Sequence, residues 1–411
     1  MYENLVNQNV TKNLISDIKN KTFPGAVLFA GPESSGKLTA ALETARILSC
    51  QEQNQGKWTC TCYNCRQQKS LTFLNLMLLG PRDCILEISA AKKTFLDAVK
   101  QNASFLTATH YLFVRSIRKL TLRFNGILWN DDKNINKIGN LIEEINENLE
   151  IIDVDRKLPD YDTLEKICTT IETVAAKLED EFLYDAVPIN QIRNMEEWTY
   201  KKSEYGKKTV ILENADRMSL NVRNALLKIL EEPPNDCEFI LLTSKKSAVM
   251  QTILSRVRTY NFYERSCEQQ KNVISRVFHN KDSSLLINEY LQTFLPVPPQ
   301  QIFENAQIFL KSICERKIPD IAEIVKKCGN FSPRIELKLF LSHIAKMQKK
   351  MIYTQCGAEV CAKSLKLLLE CWEHITLYNQ SVNSAFENLL KAMSVLNVQN
   401  DGVFSRIFEN C

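Results

Sequence analysis

The chain has 411 residues, a length that predicts about two to four domains of ordinary size. Hydrophobic residues make up 45% and charged residues 24%, a balance that excludes a largely disordered chain. Lysine and arginine number 52 against 48 acidic residues, so the net charge is only +4. Any contact with nucleic acid therefore has to come from a local patch or from partner chains.

Short apolar runs alternate with amphipathic stretches along the first part of the chain. The runs predict buried strands at Gly25–Ala30, Leu74–Leu79, Thr209–Leu212 and Phe239–Thr243. Apolar residues at helical spacing predict helices at Lys37–Ser49, Ile189–Trp198 and Asn221–Leu230. Strands that alternate with helices are typical of a mostly parallel sheet in an α/β fold.

Residues from about 85 to 185 differ, because glycine is nearly absent and helical periodicity dominates. Ala91–Asn130 holds seven Lys and Arg residues and one acid, whereas Asp131–Glu181 holds fifteen acids and six Lys and Arg residues. The pattern predicts a helical insertion with a basic arm and an acidic arm. We interpret these charges as the solvated faces of a small bundle. The alternative is contact with DNA or a partner through Arg115, Arg118, Lys119 and Arg123.

No strand pattern follows Tyr263, and Pro296–Pro299 is typical of a linker. The C-terminal part has amphipathic helical patterns, for example at Ile335–Ile352 and Ala362–Tyr378. No uncharged apolar run is long enough to span a membrane, and the N-terminal residues are unlike a signal peptide. We therefore expect no membrane contact and a cytoplasmic location.

The segment GPESSGK, which ends at Lys37, fits the pattern G-x-x-x-x-G-K between a predicted strand and a predicted helix. In that context Gly31 and Gly36 let backbone N–H groups close around phosphate oxygens. Lys37 is then expected to reach the β- and γ-phosphates. The pattern predicts a phosphate-binding loop for ATP.

The residue after the loop lysine should be Ser or Thr, whose hydroxyl binds Mg²⁺, but it is Leu38. Thr39 follows one residue late, about 100° around the helix. Two interpretations stay open. The loop either grips ATP without a magnesium ligand or keeps its shape without binding nucleotide.

A second site is expected at the end of the third strand, where an ATPase of this type carries a metal-side acid and a water-polarising acid. Glu213 stands at the first position and Asn214 at the second. An amide cannot accept a proton, so hydrolysis by this chain looks disabled. Asp216 replaces the missing acid only if the strand end is bulged.

Three segments carry a resemblance to a known family: Ile211–Met218 (ILENADRM), Asn224–Pro234 (NALLKILEEPP), and Thr252–Val257 (TILSRV). They resemble the bacterial DNA polymerase III clamp-loader subunits, a branch of the AAA+ ATPases, whose Ser-Arg-Cys motif has Val257 here in place of Cys. The similarity covers about residues 1–85 and 185–265. It is closest to the delta-prime branch, because gamma and tau keep a Thr after the loop lysine and an Asp-Glu pair.

The resemblance implies an AAA+ P-loop α/β domain over residues 1–262, a small helical lid over 263–296, and a helical collar that joins subunits over 297–411. It implies a pentamer with gamma/tau and delta that loads the sliding clamp on primer–template DNA as part of DNA polymerase III. Arg256, with Ser255 beside it, is then the expected arginine finger, supplied in trans to a neighbouring ATP site. A surface salt bridge is the alternative role for Arg256.

Four of the 14 cysteines are clustered at positions 50–65 with the spacing C-x9-C-x-C-x2-C. The family carries a four-cysteine zinc module here with the spacing C-x8-C-x2-C-x2-C. The resemblance therefore implies structural Zn²⁺, which four thiolates suit. Free thiols remain the alternative, because the second gap is tighter than usual. The expected ligands are Cys50, Cys60, Cys62 and Cys65.

These observations together predict a non-catalytic clamp-loader subunit that acts by assembly. Leu38 and Asn214 disfavour the alternative, an active gamma/tau-like ATPase. A solitary P-loop translocase or helicase is disfavoured by the near-neutral charge and by the lack of interleaved basic and aromatic residues.

Overall fold

The computed structural model describes residues 1–52, 56–203, 205–281, 284–353, 357–376, 378 and 380–408. The chain forms two compact units, Met1–Leu291 and Gln292–Cys411. Each has its own buried core, as the burial of apolar side chains in both ranges indicates. Among the described residues, no helix is both apolar enough and long enough to span a lipid bilayer.

A parallel sheet forms the centre of the first unit, with the strand order β2-β3-β4-β1-β5 in the described residues. Its strands are β1 (Ala26–Ala30), β2 (Leu76–Leu79), β3 (Lys208–Leu212), β4 (Cys237–Thr243) and β5 (Arg258–Asn261). Every residue of β1 to β4 is buried, as expected for parallel strands with both faces covered. The predicted α/β fold is confirmed.

The edge strand β5 was absent from the sequence-based prediction. Only Tyr260 of its four residues is buried, so the segment lacks the apolar run that marked the other strands. Tertiary pairing with β1 defines it, because Val27 to Ala30 of β1 lie opposite Arg258 to Asn261.

Helices surround this sheet and follow the predicted pattern closely. α2 begins at Lys37 directly after the loop, as predicted, and α9 begins after Ser219, whose hydroxyl accepts a hydrogen bond from Val222 N. The helices are α1 (Val10–Lys19), α2 (Lys37–Ser49), α3 (Tyr63–Ser70), α4 (Ile85–Lys100), α5 (Leu106–Thr121), α6 (Ile135–Ile151), α7 (Tyr161–Phe182), α8 (Ile189–Tyr200), α9 (Leu220–Glu231), α10 (Gln251–Leu254), α11 (Cys267–Val277) and α12 (Ile287–Gln292).

The predicted insertion consists of the helices α4 to α7. α4 packs on α5 and α7, and α6 packs on α7. The fully buried Phe95 and Phe113 stack between α4 and α5. Lys92 of α4 and Glu172 of α7 form an ion pair, so the basic and acidic arms attract one another.

The interpretation of the basic stretch as a solvated face is wrong for most of its residues. Arg115 donates to the backbone oxygens of Gln68 and Lys69 on α3, at 3.1 and 2.8 Å. Lys119 pairs with Glu87, and Arg123, which is 1% exposed, pairs with Glu213 of the central sheet. The basic helix α5 is therefore turned towards the rest of the unit, where it contacts buried acids and carbonyls.

The second unit is helical. Its core contains four phenylalanine rings in mutual contact: Phe309, Phe331, Phe340 and Phe386. Pro299 is the first residue of a helix, which suits a proline, and the predicted helix at Ile335–Ile352 ends earlier and continues as a 3-10 turn. The helices are α13 (Pro299–Glu315), α14 (Ile321–Lys327), α15 (Arg334–Met347), α16 (Gly357–Thr376) and α17 (Val382–Gln399).

A buried carboxyl group lies at the start of α15. Glu336 is fully buried and accepts one hydrogen bond at Oε1, from Val297 N at 3.1 Å, while Oε2 has no partner among the described residues. Burial raises the pKa of Glu336 to about 7, and the Val297 hydrogen bond opposes the shift only in part. The folded unit therefore keeps this group protonated in mildly acidic solution.

The raised pKa predicts a pH-dependent stability. The unfolded chain ionises Glu336 near pH 4.5, whereas the folded chain resists ionisation up to about pH 7. Between these values the free energy of unfolding should fall with rising pH, by at most about 1.4 kcal/mol for each pH unit, and the loss should level off above pH 7. Glu336→Gln should remove this fall in urea titrations from pH 4 to 8.

The exposed Glu373→Gln in α16 is the matched control and should keep the wild-type pH dependence. Equal pH dependence in wild type and Glu336→Gln would contradict the prediction.

Candidate functional site

The predicted phosphate loop lies between β1 and α2. Gly36 has φ +92°, and a Cβ there would lie 2.7 Å from Leu5 Cδ1, so only glycine fits. The ammonium of Lys37 donates to the loop's own oxygens, with 2.6 Å to Gly31 O and a further bond to Pro32 O. Burial lowers the pKa of Lys37 to about 8, although the charge of Glu213 acts in the opposite direction. The side chain of Lys37 is thus bound by backbone carbonyls of its own loop.

A distant arginine fixes the same loop. Arg265 is buried and donates to Val6 O at 3.1 and 2.9 Å and to Ser34 O. Ser34 Oγ in turn donates to Asn288 Oδ1 at 2.5 Å. Sequence analysis missed Arg265 and Asn288, because they lie more than 230 residues from the loop and belong to no local motif.

The helix after the loop offers no hydroxyl at the magnesium position. Leu38 is 5% exposed and belongs to the apolar core under the sheet. Thr39 is partly buried one position further along α2, about 100° around the helix. Position 38 is thus occupied by a side chain of the apolar core.

The acid at the end of β3 is held between two guanidinium groups. Glu213 is 7% exposed, and its Oε2 accepts from Arg123 while its Oε1 lies 3.2 Å from Arg82 Nη1. Arg123 comes from the short 3-10 helix Leu122–Phe124 that follows α5. A carboxylate whose two oxygens are both engaged by arginines has little capacity left for a metal ion.

This pair is part of a longer ion network. Arg82 also contacts Glu87 at 3.5 Å, and Glu87 pairs with Lys119. Burial by itself would raise the pKa of Glu87, but Lys119 and Arg82 lower it to about 2. The network links α4, α5 with its 3-10 extension, and the segments that follow β2 and β3. Its order is Lys119, Glu87, Arg82, Glu213 and Arg123, and Arg82 remains partly exposed.

The two residues that follow Glu213 are also engaged. Asn214 has φ +54° and its amide donates to Pro81 O at 2.7 Å. Asp216 accepts a hydrogen bond from Thr243 Oγ1 at 2.6 Å, at the end of β4. Asn214, the residue predicted at the position of the water-polarising acid, is therefore tied to the segment after β2, and Asp216 is tied to the neighbouring strand.

Arg256 occupies a different place in the unit. It lines a surface cleft of about 440 Å³ with Gly25 and Ala26, at the N-terminal end of β1. The phosphate loop follows Ala30 at the C-terminal end of the same strand, about 13 Å further along. The predicted finger and the loop of this chain therefore lie at opposite ends of β1.

The guanidinium of Arg256 forms a solvent-screened ion pair with Glu231. Nε and Nη2 donate to Glu231 Oε2 at 3.2 and 3.1 Å, and Nη1 donates to Thr252 O at 2.9 Å. The side chains of Arg256 and Glu231 are 28% and 60% exposed, so solvent screens the pair. Ser255 Oγ donates to Thr252 O and stands next to the guanidinium.

The four clustered cysteines come together at the end of α2 and the start of α3. The sulfurs of Cys50, Cys60, Cys62 and Cys65 lie within 4.8 Å of one another. Cys50 and Cys60 are 3.8 Å apart, and a tetrahedral zinc ion with bonds of about 2.3 Å requires about that separation. The tight gap between Cys60 and Cys62 does not prevent the cluster from forming, and the arrangement is compatible with zinc.

Cations surround the cysteine cluster. Arg46 is 1% exposed and donates to Cys65 Sγ at 3.7 Å, while Lys69 donates to Cys60 O. Arg46, Lys69 and Arg115 all lie over the ring of Trp58 at 5.3 to 5.8 Å. Among the described residues, neither Lys69 nor Arg115 pairs with a carboxylate. Arg46 is paired with the buried Glu43 at 2.9 Å, so the excess positive charge comes from Lys69 and Arg115. This excess suits a zinc ion with four thiolates, whose net charge is −2.

The profile of a protein family described as "DNA polymerase III, delta subunit" matches residues 6–266. The chain belongs to this family. The resemblance to the clamp-loader subunits is thereby confirmed, and the matched range includes the phosphate loop, the cysteine cluster, the insertion and Arg256.

Individual relatives match shorter segments. DNA polymerase III subunit delta' of Pseudomonas aeruginosa is 36% identical over 80 residues, 19% of this chain and 24% of that protein. The corresponding subunit of Bacillus subtilis is 40% identical over 67 residues, 16% of this chain and 20% of that protein. DNA polymerase III subunit tau of Bacillus subtilis is 30% identical over 105 residues, 25% of this chain and 17% of that protein. The aligned segments thus span a quarter or less of these relatives.

Among solved structures, a DNA polymerase III gamma subunit-related protein from Thermotoga maritima aligns with 54% of this chain and 88% of its own length. The TM-score is 0.27 and the sequence identity is 15%.

The buried contact between Arg123 and Glu213 predicts a large effect on stability. Arg123→Leu leaves a buried carboxylate without its main cation and should lower the free energy of unfolding by about 3–5 kcal/mol in urea titrations. Arg123→Leu combined with Glu213→Leu removes both charges and should recover most of that loss.

The matched control is the exposed pair formed by Arg156 and Glu150 on the same insertion. Arg156→Leu should change the free energy of unfolding by less than about 1 kcal/mol. If the Arg123 variant is no less stable than this control, the ion network does not hold the insertion to the sheet.

Proposed function

We propose that the chain is a non-catalytic, delta-prime-like subunit of the DNA polymerase III clamp loader. In this role it assembles with gamma/tau and delta in the cytoplasm, and the complex loads the sliding clamp on primer–template DNA. Arg256 acts in trans on the ATP site of a neighbouring subunit. The observation that carries the proposal is the position of Arg256 at the opposite end of β1 from this chain's own phosphate loop.

The degenerate nucleotide site supports a subunit without ATPase activity of its own. Lys37 donates to loop carbonyls, Leu38 is buried, and Glu213 is neutralised by two arginines. Asn214 cannot accept a proton from water. Nucleotide binding by this loop would first require Lys37 to exchange its partners. Because Leu38, Glu213 and Asn214 cannot support hydrolysis, any ATP that binds here plays no part in catalysis.

The exposed pair between Arg256 and Glu231 suits an arginine finger. A guanidinium grips phosphate oxygens in pairs and stabilises the charge of the transferring phosphoryl group. To do so, Arg256 has to leave Glu231, and a screened surface pair is worth little energy. Its neighbours Ser255 and Thr252 keep the backbone of this turn in place.

The proposed role as a clamp-loader subunit implies a division of the chain into three domains. We assign residues 1–262 to the AAA+ domain, 263–296 to a helical lid and 297–411 to a collar that contacts the other subunits. The contact between Ser34 and Asn288 supports a lid that touches the phosphate loop.

A second candidate is an active gamma/tau-like ATPase. The similarity to the tau subunit of Bacillus subtilis, which extends over more residues than either delta' match described above, favours this alternative. The two candidates differ in whether Lys37 or Arg256 is needed for hydrolysis.

ATP hydrolysis by a reconstituted complex tests the proposal. The complex contains this chain and the gamma/tau and delta subunits of the same organism, with sliding clamp and primed DNA. Arg256→Ala should slow the neighbouring ATP site by roughly 10³–10⁵-fold and so lower the rate of the complex. Lys37→Ala should leave the rate unchanged, and the isolated chain should be inert.

Arg258→Ala is the matched control, because Arg258 lines the same cleft but pairs with Asp17. Glu231→Gln removes only the partner of Arg256 and should keep the rate at or above that of wild type. Hydrolysis by the isolated chain that Lys37→Ala abolishes would instead establish the motor alternative.

We also propose that the cysteine cluster holds one structural zinc ion. The ion would be bound by Cys50, Cys60, Cys62 and Cys65, and its charge would join the end of α2 to the start of α3. Four thiolates leave no open position for water or substrate, so the metal has no catalytic role.

Metal analysis of the purified chain tests this proposal. We expect about one zinc per chain in wild type and a loss of zinc in Cys62→Ser, together with a lower Tm. The exposed Cys267→Ser is the matched control and should keep both the zinc and the Tm. A wild-type chain without zinc, whose Tm does not respond to zinc or to a chelator, would exclude a metal site.

A further inference from the structure

A cavity of about 850 Å³ lies between the insertion and the edge of the sheet. One wall is a face of α6, and the others come from the segment that leads into β2, from the end of α5 and from the segment after α8. Its volume is within the range of about 300–1,000 Å³ that is typical of ligand sites. Neither the nucleotide loop nor the cysteine cluster contributes to its lining.

The charged residues in the described lining are all basic. The cavity is lined by Arg118, Lys201, Lys202 and Lys208, and none of its described lining residues is an Asp or Glu. Lys208 is satisfied by backbone oxygens, including Trp198 O at 2.6 Å. In the part of the chain that the structure describes, Lys201 and Lys202 form no ion pair; Glu204, next in sequence, lies outside that part. The cavity is therefore suited to an anionic group.

The guanidinium of Arg118 leaves part of its hydrogen-bonding capacity unsatisfied. Its Nη1 donates to Asn146 Oδ1, while its Nε is buried and has no partner among the described residues. Asp153 acts on it electrostatically, but the two form no ion pair in the described structure. Burial lowers the pKa of Arg118, as expected for a buried guanidinium without a close counter-ion. A bound carboxylate would supply one.

The rest of the lining is apolar. On α6, Ile135, Ile138, Gly139 and Ile142 form one helical face towards the cavity, and the acidic residues of α6 are not part of the lining. Leu74 and Ile127, which also line the cavity, are 67% and 40% exposed, so large aliphatic side chains of the lining face solvent. The cavity therefore combines an anion-binding edge with an apolar floor.

The aromatic rings favour a peptide over nucleic acid. Trp129 stacks on Phe124 and Tyr184, each at 5.1 Å, and Lys208 covers the ring of Trp198. Single-stranded nucleic acid binds to free aromatic faces, on which bases stack. Here the rings of Trp129 and Trp198 are already covered. The more exposed Tyr205 lies beside Tyr63 at 6.1 Å, and the most exposed apolar side chain of the lining is the aliphatic Leu74.

We propose that this cavity binds a linear peptide segment of a partner protein, in which acidic residues stand next to large apolar side chains. The carboxylates contact Arg118, Lys201 and Lys202, and the apolar side chains fill the space over Gly139. Binding weakens with rising salt, because the two lysines at the rim are exposed. This site is independent of the proposed role of Arg256.

Gly139 offers a direct way to block the cavity. A Cβ on Gly139 meets no atom within 4 Å, so Gly139→Trp fills the space without a backbone clash. Gly139→Ala is the control for the gain in helix propensity. Asn140→Trp, on the next residue of α6 and outside the lining, is the control for an added surface tryptophan.

The test uses the full chain and a phage-displayed library of random 12-residue peptides. Peptides enriched on wild type should combine Asp or Glu with Leu, Ile or Phe. Synthetic, fluorescein-labelled copies should bind at least tenfold more weakly to Gly139→Trp and more weakly to Lys201→Ser and Lys202→Ser. Gly139→Ala and Asn140→Trp should bind like wild type.

The proposal is overturned if no such peptides are enriched, or if enriched peptides bind Gly139→Trp as well as they bind wild type. It is also overturned if an oligo(dT) 20-mer binds wild type, competes with the peptides and loses its binding in Gly139→Trp. That outcome would make the cavity a nucleic-acid site.

Discussion

The structure of the first unit depends on how the carboxylate of Glu213 is neutralised. A buried charge has to be paired, and both oxygens of Glu213 contact arginines, one from the loop after β2 and one from the insertion. Glu213, which the sequence predicts as a metal-side acid, is thus a structural anchor. Because Arg123 is delivered by the insertion, the insertion stabilises the sheet. The same contacts engage both oxygens of the carboxylate that the sequence analysis expected to face a metal ion.

Helical geometry explains how one basic helix serves several sites. Residues four apart lie on nearly the same side of an α-helix, so Arg115, Lys119 and Arg123 form one stripe along α5 and its 3-10 extension. Arg115 reaches the segment beside the cysteine cluster, while Lys119 and Arg123 enter the ion network. Arg118 is offset from this stripe and lines the cavity under α6. The basic residues that are concentrated in this part of the sequence therefore make contacts within the first unit.

Local sequence patterns were enough to predict the loop between β1 and α2, the four buried strands, the helices beside them and the clustering of the four cysteines. Each of these depends on residues that are near in sequence or on a continuous apolar run. The pairing of Arg123 with Glu213 joins residues 90 positions apart, and the anchoring of the loop by Arg265 spans more than 230. No periodicity records such contacts, and for this reason the basic stretch was interpreted as solvated and Arg265 was missed. The short strand β5 was missed because only Tyr260 in it is buried.

The arginines of this unit fall into two classes by the energy needed to move them. Arg123 and Arg265 are buried, and withdrawing either of them would leave a carboxylate or backbone carbonyls without partners. Arg256 pairs with an exposed Glu231, and water compensates both groups when they separate. The role proposed for Arg256 requires its guanidinium to leave its own chain for a phosphate on another subunit, and the low cost of separating this pair is consistent with that role. Lys37, whose buried ammonium is bound by loop carbonyls, is held more firmly than Arg256. Under the proposed function, this distribution of burial favours Arg256 over the loop lysine as the group that acts on a partner subunit.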